Sequence, residues 1–395
     1  MTLELKHPMA AQATADEIAR GRFVSGIRSL ILNDLAADLR GAYDRRAEPR
    51  WRREHDRAPA SSREAHEALR GDPAFNIYSG MRVQAQKMVW AAVADGVTRE
   101  TGRLAAEAEK VAHAPGALTL DPSLDVPRNV SAVDVHLMPG SYTRGGSGLE
   151  AGAVYDRGLA VFSMGLMGAN LDDIGLSMAR YVQLRFPEFA PRRILDTGCT
   201  IGHNTLPWKQ AYSEAEVIAI DAAPGPLAYG SARARMQGQD VHFRQMCADA
   251  LDFPDAHFDL VWSSMFLHEL SKKARAAAFD EAFRVLRPGG LLLHMELPPN
   301  AEMSAFDGFY LDWDSYYNNE PFYKGYRDEN PIELCARAGF APEDYFQVVV
   351  PSIGIYGDEG IARMVAADAA ETVGQATTGR LAEGVMWFGF GAWKR

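Results

Sequence analysis

Cysteine is scarce in this chain. Its 395 residues hold three, Cys199, Cys247 and Cys335, far apart in sequence. None belongs to a Cys-x-x-Cys pair or has histidines at zinc-site spacing. So small and odd a number builds no disulfide framework, and a reducing cytoplasm is the natural setting. Long hydrophobic runs are missing too: nothing approaches the roughly 18 apolar residues of a membrane helix. Residues 1–11 have no apolar stretch of signal-peptide form. The expectation is a soluble, cytoplasmic protein with no membrane partner. Positive charge is in deficit, with 41 Lys and Arg against 52 Asp and Glu and a formal net charge of −11. Nucleic-acid binding wants a basic face, so nucleic acid is not the expected partner. No acidic cluster reads as a magnesium site, so no metal is expected.

Apolar residues make up 47% of the chain, enough for a substantial core, and the length allows two or three domains. There is no internal repeat. Residues 1–114 read as a helical N-terminal domain. Ile27, Leu30, Ile31, Leu35 and Leu39 recur at helical spacing, and further helices are expected over 79–94 and 99–112. The charged stretch 45–57, with Arg50-Trp51-Arg52-Arg53, is either an anion contact or, more plainly, a solvated loop or helix end. Residues 115–150 are rich in Gly and Pro and read as a linker with little regular structure. Residues 154–186 read as helical.

From about residue 192 to 298, strand-like and helical patterns alternate. Strands are expected at 193–197, 217–221, 241–246, 258–263 and 290–296, with helices at 202–212, 224–236 and 272–286 between them. Such alternation builds βαβ units and a parallel sheet. The strand runs are almost wholly apolar, as in a sheet covered on both faces. An aromatic insertion follows at about 299–327. A helix over 331–338, strands at 345–351 and 385–393, and a helix over 360–374 complete the reading.

The informative stretch is Ile194-Leu195-Asp196-Thr197-Gly198-Cys199-Thr200-Ile201-Gly202-His203. A strand runs through a turn with two glycines into a helix. Glycine there permits positive φ and close approach of a ligand. About twenty residues on, the second strand ends in Asp221, where an acid can accept from both hydroxyls of a ribose. Dinucleotide dehydrogenases carry Gly-x-Gly-x-x-Gly and steer a pyrophosphate onto a helix N-terminus. Here Asp196 would repel a pyrophosphate and suit an ammonium, and no glycine stands at 203–205.

The stretch resembles motif I of class I S-adenosylmethionine (SAM)-dependent methyltransferases, and the ordered motifs that follow resemble that family as well. Ala248-Asp249-Ala250 takes the place whose acid holds the adenine amino group. Phe258-Asp259-Leu260-Val261 is typical of strand four, and Leu286-Arg287-Pro288-Gly289-Gly290 of the turn into strand five. The likeness covers roughly 192–298, about a quarter of the chain. It is nearest the type 11 and ubiquinone/menaquinone-biosynthesis-like small-molecule methyltransferases. The family's central glycine is Thr200 here.

The resemblance implies an α/β fold: a Rossmann-like, mostly parallel sheet of seven strands with an antiparallel last strand, in a domain spanning 151–395. It implies SAM as cofactor, held by Asp196, Gly198, Thr200, Gly202, His203, Asp221, Ala222, Asp249, Ala250 and Ser263. Tyr142 and Tyr155, upstream of the first strand, would close over the methionine end.

His268, just past strand four, is the candidate base. It resembles a histidine in the corresponding loop of several O-methyltransferases, while the plainer reading is a histidine that packs the next helix. Glu296, ending strand five, is either a second catalytic acid or a salt-bridged cap. Met265 and the aromatic insertion, through Tyr310, Trp313, Tyr316 and Tyr317, would line a small-molecule acceptor pocket, or else form an ordinary packed subdomain. O-methylation is favoured, with carbon, nitrogen or sulfur as other acceptors. A different class stays open: a protein that binds SAM without transferring its methyl. The N-terminal helices are candidates for a homodimer interface or a pocket cover.

Overall fold

A computed structural model of the chain describes residues 3–146, 148–367 and 384–395. Thr14 starts the first helix. Its hydroxyl accepts from Glu17 N, and the Glu17 carboxylate accepts from Thr14 N at 2.8 Å, a reciprocal cap. A helical run follows, with α1 (Ala15–Leu30), α2 (Ala36–Ala42) and α3 (Glu48–His55) joined by single π-helical turns. The charged stretch 45–57 forms the end of this run, as a helix end with residues 52–57 exposed, while Trp51 buries its ring and stacks on His55. After α4 (Ser62–Leu69), α5 (Pro73–Lys110) replaces the two helices expected at 79–94 and 99–112. No proline interrupts it and its glycines sit at buried or open helical positions, so nothing ends the first helix early.

Residues 115–150 contain a strand, β1 (Ala117–Thr119), and a short helix, α6 (Arg128–Ser131). The helical stretch expected at 154–186 is two helices. α7 (Glu150–Phe162) ends in a turn where Met164, Gly165, Gly168 and Leu171 all adopt positive φ, and α8 (Asp173–Arg185) restarts.

The βαβ core follows the sequence reading closely. β2 (Arg193–Thr197), α9 (Leu206–Ala211), β3 (Glu216–Asp221), α10 (Pro224–Met236), β4 (His242–Gln245), β5 (Phe258–Ser264), α11 (Lys272–Val285) and β6 (Leu286–Glu296) succeed one another. The insertion supplies α12 (Ala305–Tyr317) and α13 (Tyr323–Arg327). Then come α14 (Pro331–Ala338), β7 (Tyr345–Pro351), α15 (Ile353–Ala366) and β8 (Met386–Trp393). The helix expected over 360–374 is seen as α15, and its later residues lie outside those described.

The sheet has eight strands, ordered β1-β4-β3-β2-β5-β6-β8-β7. β8 runs antiparallel to β6 and β7, and all other pairings are parallel. The expected seven-strand sheet is thus present with one strand more. Three residues of the Gly/Pro-rich segment add themselves to the edge beside β4, which would otherwise leave backbone groups unpaired.

Apolar side chains bury both faces of the sheet. One face gathers Ile194, Ala219, Leu260, Trp262 and Leu293, and the other Leu195, Ile220, Val261 and Leu292. Trp208 and Trp262, fully buried with ring centroids 5.1 Å apart, anchor the first face, a contact worth about 1 kcal/mol beyond area burial. The N-terminal helices are not detached from this core. α5 packs on α7 through Val89, Trp90 and Val97, and Phe75 and Tyr78 join Phe306, Phe309 and Trp313 of α12 in another apolar cluster. The helices therefore stand over the carboxyl ends of β2, β5 and β6.

Candidate active site

Strand order reverses at β2, which has β3 on one side and β5 on the other. Open α/β sheets bind ligands in the crevice outside the strand ends at such a point. The glycine loop lies there. Gly198 has φ +74° and Gly202 φ +69°. A Cβ on Gly198 would stand 2.1 Å from the Phe266 ring, so glycine is required by space as well as conformation. Thr200 adopts φ +51°, costly for a β-branched residue. Two contacts hold it: its N–H donates to Asp221 Oδ2 at 3.0 Å, and its side chain meets Tyr155. Asp221 Oδ1 accepts from Ala223 N at 2.9 Å. Burial pushes the Asp221 carboxyl up, against the pull of these backbone donors.

Several features of these residues suit the groups SAM carries. Asp196 is buried, accepts from Thr205 Oγ1, and has no cation beside it among the described residues. Burial, with Asp221 close by, pushes its carboxyl up to about 8. An incoming ammonium would restore its charge. His203 is also buried, its Nδ1 has no partner among the described residues, and burial drives the imidazole down to about 3, so it is neutral. Tyr142 and Tyr155 stand in a row with it: ring centroids are 5.9 Å apart between the tyrosines and 5.8 Å from Tyr155 to His203. Each Asp221 oxygen keeps a second lone pair for a hydroxyl.

Ala222 is half-buried beside Asp221, its carbonyl taken by Gln245 Nε2. Asp249 and Ala250 are exposed in the loop after β4. Ser263 differs from the rest. It is fully buried and its hydroxyl hydrogen-bonds His294 Nδ1 at 2.6 Å across β5 and β6. That bond turns the side chain away from Asp196 and toward Phe279 and Phe390, which flank His294.

His268 and Glu296 come together. Both are buried, and His268 Nδ1 lies 2.8 Å from Glu296 Oε2. A carboxylate only accepts, so Nδ1 donates and Nε2 is left for a proton acceptor's role. Glu296 Oε1 accepts from Phe266 N at 2.7 Å and Leu267 N at 2.5 Å. Burial opposes ionisation of this pair, yet His268 and the two amides hold Glu296 below the usual carboxylate range. Burial likewise lowers His268, but Glu296 outweighs it and the imidazole is pushed up to about 9.

One further histidine joins the site without any signal in the sequence reading. His136 adopts φ +56° and lies 3.2 Å from Glu269 through Nε2 and 2.8 Å from Glu320 through Nδ1. Its carbonyl accepts from Gln86 Nε2 and Trp90 Nε1, which fixes the left-handed turn onto α5. Glu269 is the neighbour of His268, so this clamp closes beside the candidate base.

Met265, at the tip of β5 with φ +51°, is 38% exposed. The aromatics of α12 face elsewhere. Trp313 is buried, donates Nε1–H to Ser79 Oγ at 3.0 Å, and carries the Arg82 guanidinium 4.0 Å above its ring. Tyr310 packs near Tyr78 and the same arginine. Tyr316 and Tyr317 rest on His66 of α4, and the Tyr317 hydroxyl is 2.8 Å from His66 Nε2. Arg327 and Asp312, both fully buried, pin the insertion through an ion pair, with Arg327 also donating to the carbonyls of Pro298 and Gly308. Among the described residues no group of three or more His, Cys, Asp or Glu is placed to hold a metal, and no helix is long and apolar enough to cross a membrane.

Residues 194–290 match the family model of a methyltransferase domain. A demethylmenaquinone methyltransferase of Thermus thermophilus is 38% identical over 112 residues, covering 28% of this chain and 50% of that protein. A malonyl-[acyl-carrier protein] O-methyltransferase of Methylovorus is 36% identical over 124 residues, 30% of this chain and 41% of its own. The chain thus spans about half the length of these curated relatives, or less. Among solved structures, a phosphoethanolamine N-methyltransferase of Haemonchus contortus aligns over 60% of this chain and 57% of its own, at 16% identity and a TM-score of 0.40.

Proposed function

We propose that this chain, whose residues 194–290 carry a methyltransferase domain of the class I, ubiquinone/menaquinone-biosynthesis-like type, transfers a methyl group from SAM to a small-molecule acceptor bearing an ionisable proton. The observation that carries the reading is the buried His268–Glu296 pair standing beside the glycine loop, through the Phe266 ring that covers Gly198. SAM, when bound, supplies a methyl already activated on a sulfonium.

The chain's own residues then bind, orient and take a proton. Asp196 receives the ammonium and Asp221 the ribose hydroxyls. Gly198, Thr200 and Gly202 let the backbone approach, Ala222, Asp249 and Ala250 border the adenine, and Tyr142, Tyr155 and His203 close the methionine end. His268 Nε2 takes the acceptor's proton as its nucleophile aligns, and Glu296 holds the ring in the tautomer that exposes Nε2. An acceptor hydroxyl is favoured; a carbon acidified by a neighbouring hydroxyl would use the same base. The names of the relatives include both an O-methyltransferase and a methyltransferase of demethylmenaquinone.

In this reading residues 1–114 form a helical cover, 115–150 the segment that brings His136 and Tyr142 to the site, and 151–395 the catalytic unit. Three free cysteines fit a reducing cytoplasm. A homodimer through the N-terminal helices is part of the proposal, supported by exposed Phe23 and Leu30 on α1 and Ile77 and Met81 on α5. Sedimentation velocity of the wild type and of Phe23→Glu/Met81→Glu tests it: a monomeric wild type rejects the dimer.

The functional test is calorimetric titration with SAM and S-adenosylhomocysteine, followed by an acceptor screen that reads S-adenosylhomocysteine formation. Cofactor binding with turnover supports transfer. Cofactor binding without turnover on acceptors shown to bind favours a protein that uses SAM without moving its methyl. Absence of cofactor binding rejects both.

A further inference from the structure

Arg28 has no place in the chemistry above, and its surroundings are unusual. It lies on α1 and is 6% exposed. Its Nε donates to Phe162 O at 3.0 Å and its Nη1 to Gln86 Oε1 at 2.8 Å, and the guanidinium sits 4.1 Å over the Phe162 ring. Nη2 makes no hydrogen bond, and no carboxylate lies within ion-pair distance, among the described residues. Neutral acceptors and a ring are poor compensation for a buried cation. Its neighbour Arg82 differs, because Arg82 Nη2 is 2.8 Å from Asp314 Oδ2. Burial, and then Arg82, pull Arg28 down to about 9. Asp314 pulls the other way on both guanidiniums but hydrogen-bonds only Arg82, so Arg28 has no carboxylate partner of its own among the described residues.

The position of Arg28 connects it to the candidate base. Gln86, which takes Arg28 Nη1, donates through Nε2 to His136 O at 2.9 Å. His136 Nε2 in turn meets Glu269, the residue after His268. Arg82, Asp314, His136 and Glu269 lie between the N-terminal helices and the strand tips. Burial is the largest influence on the first three, yet all four side chains keep 15–22% exposure. These four side chains are desolvated yet still touched by water, and they stand between the buried Arg28 and His268.

We propose that the methyl acceptor carries a carboxylate and that the free edge of Arg28, reinforced by Arg82, receives it. A planar carboxylate matches a guanidinium edge and supplies the partner that Nη2 lacks. The anion is held beside α1 and α5 while the reacting group lies toward His268. Arg28 is then a specificity-determining residue that separates acidic acceptors from their neutral amides and esters. The assignment of the anion as part of an acceptor rests on the methyltransferase reading; the anion site itself does not.

The test keeps the two apart. The full-length protein is titrated calorimetrically with S-adenosylhomocysteine, and separately with sodium benzoate and with benzamide, its neutral isostere. Failure of the first titration alone removes the cofactor reading. For the anion site, benzoate binds and benzamide binds at least about tenfold more weakly. Arg28→Met weakens benzoate by at least about tenfold, and Arg28→Lys, which keeps the charge but loses the planar fork, restores only part of it. Where Arg28→Met does not fold, Gln86→Glu sets a carboxylate against Arg28 in nearly the same shape and weakens benzoate to a similar degree. Three results overturn the proposal: no benzoate binding by the wild type, equal binding of benzamide, or a folded Arg28→Met or Gln86→Glu protein that binds benzoate as the wild type does.

Discussion

The backbone N–H of Thr200 donates to Asp221 Oδ2 at 3.0 Å, joining the turn after β2 to the tip of β3. The bond holds a threonine at φ +51°, where the related motif has glycine. Asp221 therefore has two tasks, to fix this turn and to offer its remaining lone pairs to a ribose. Asp221→Ala removes both. Hydrogen bonds to a charged acceptor are worth about 1.5–3 kcal/mol each, so SAM affinity measured by calorimetry falls at least about tenfold. Asp221→Asn keeps an acceptor for Thr200 N and loses less. Wild-type affinity in Asp221→Ala would remove the residue from the cofactor site.

Gly198→Ala tests the loop by space rather than by charge. The new Cβ would stand 2.1 Å from Phe266 at a φ of +74°. Phe266 cannot withdraw freely, since its ring packs against the core and its backbone N–H is held by Glu296. Strain at positive φ of about 1–2 kcal/mol adds to the displaced ring. The variant melts several degrees below wild type and loses measurable binding of S-adenosylhomocysteine. Unchanged melting and binding would show that the loop opens when ligand arrives.

How legible all this is depends on sequence separation. The glycine loop, Asp221, His268 and Glu296 sit in or beside strands of one βαβ array, so local pattern and strand order bring them together. Periodicity names Ser263 as a strand-end residue. Only the hydrogen bond to His294 shows which face its hydroxyl takes, since a strand sends successive side chains to opposite faces. The α12 aromatics are visible as a group, but what covers them is α4 and α5, more than 200 positions away. Arg28, Gln86 and His136 carry no motif. They meet Glu269 and Glu320 only because α1 and α5 fold back over the strand tips. His136 is read as linker because Gly and Pro surround it, and its left-handed turn depends on donors from α5.

Trp313 distinguishes a packed α12 from an acceptor wall. Its ring is 1% exposed and its Nε1–H reaches Ser79. Trp313→Ala empties that site and costs about 3–5 kcal/mol in chemical denaturation, with S-adenosylhomocysteine affinity unchanged in the folded fraction. Trp313→Phe refills much of the space and costs less. A Trp313→Ala protein of wild-type stability with a raised acceptor KM would instead make the ring part of the acceptor pocket.

The His268–Glu296 pair sets the pH response. His268 must be neutral to take a proton, and in the folded protein it titrates near 9, so kcat/KM rises with pH and levels off above about 9. Glu296→Gln removes the charge that holds the imidazole up. Burial then dominates and lowers His268, so the rising limb moves to lower pH while the plateau falls as the ring loses its orienting acceptor. Stability carries the opposite sign. His268 is raised above its ordinary 6.5, so its contribution is complete below that value and is lost as pH climbs through about 9. Glu296 is lowered from its ordinary 4.5, so its contribution stands above that value and is lost as pH falls through the depressed value. The wild type is therefore more stable at neutral pH than at pH 10, where it is most active, and Glu296→Gln flattens that difference. A kcat/KM profile identical in wild type and Glu296→Gln would show that His268 is not the group whose ionisation limits the reaction.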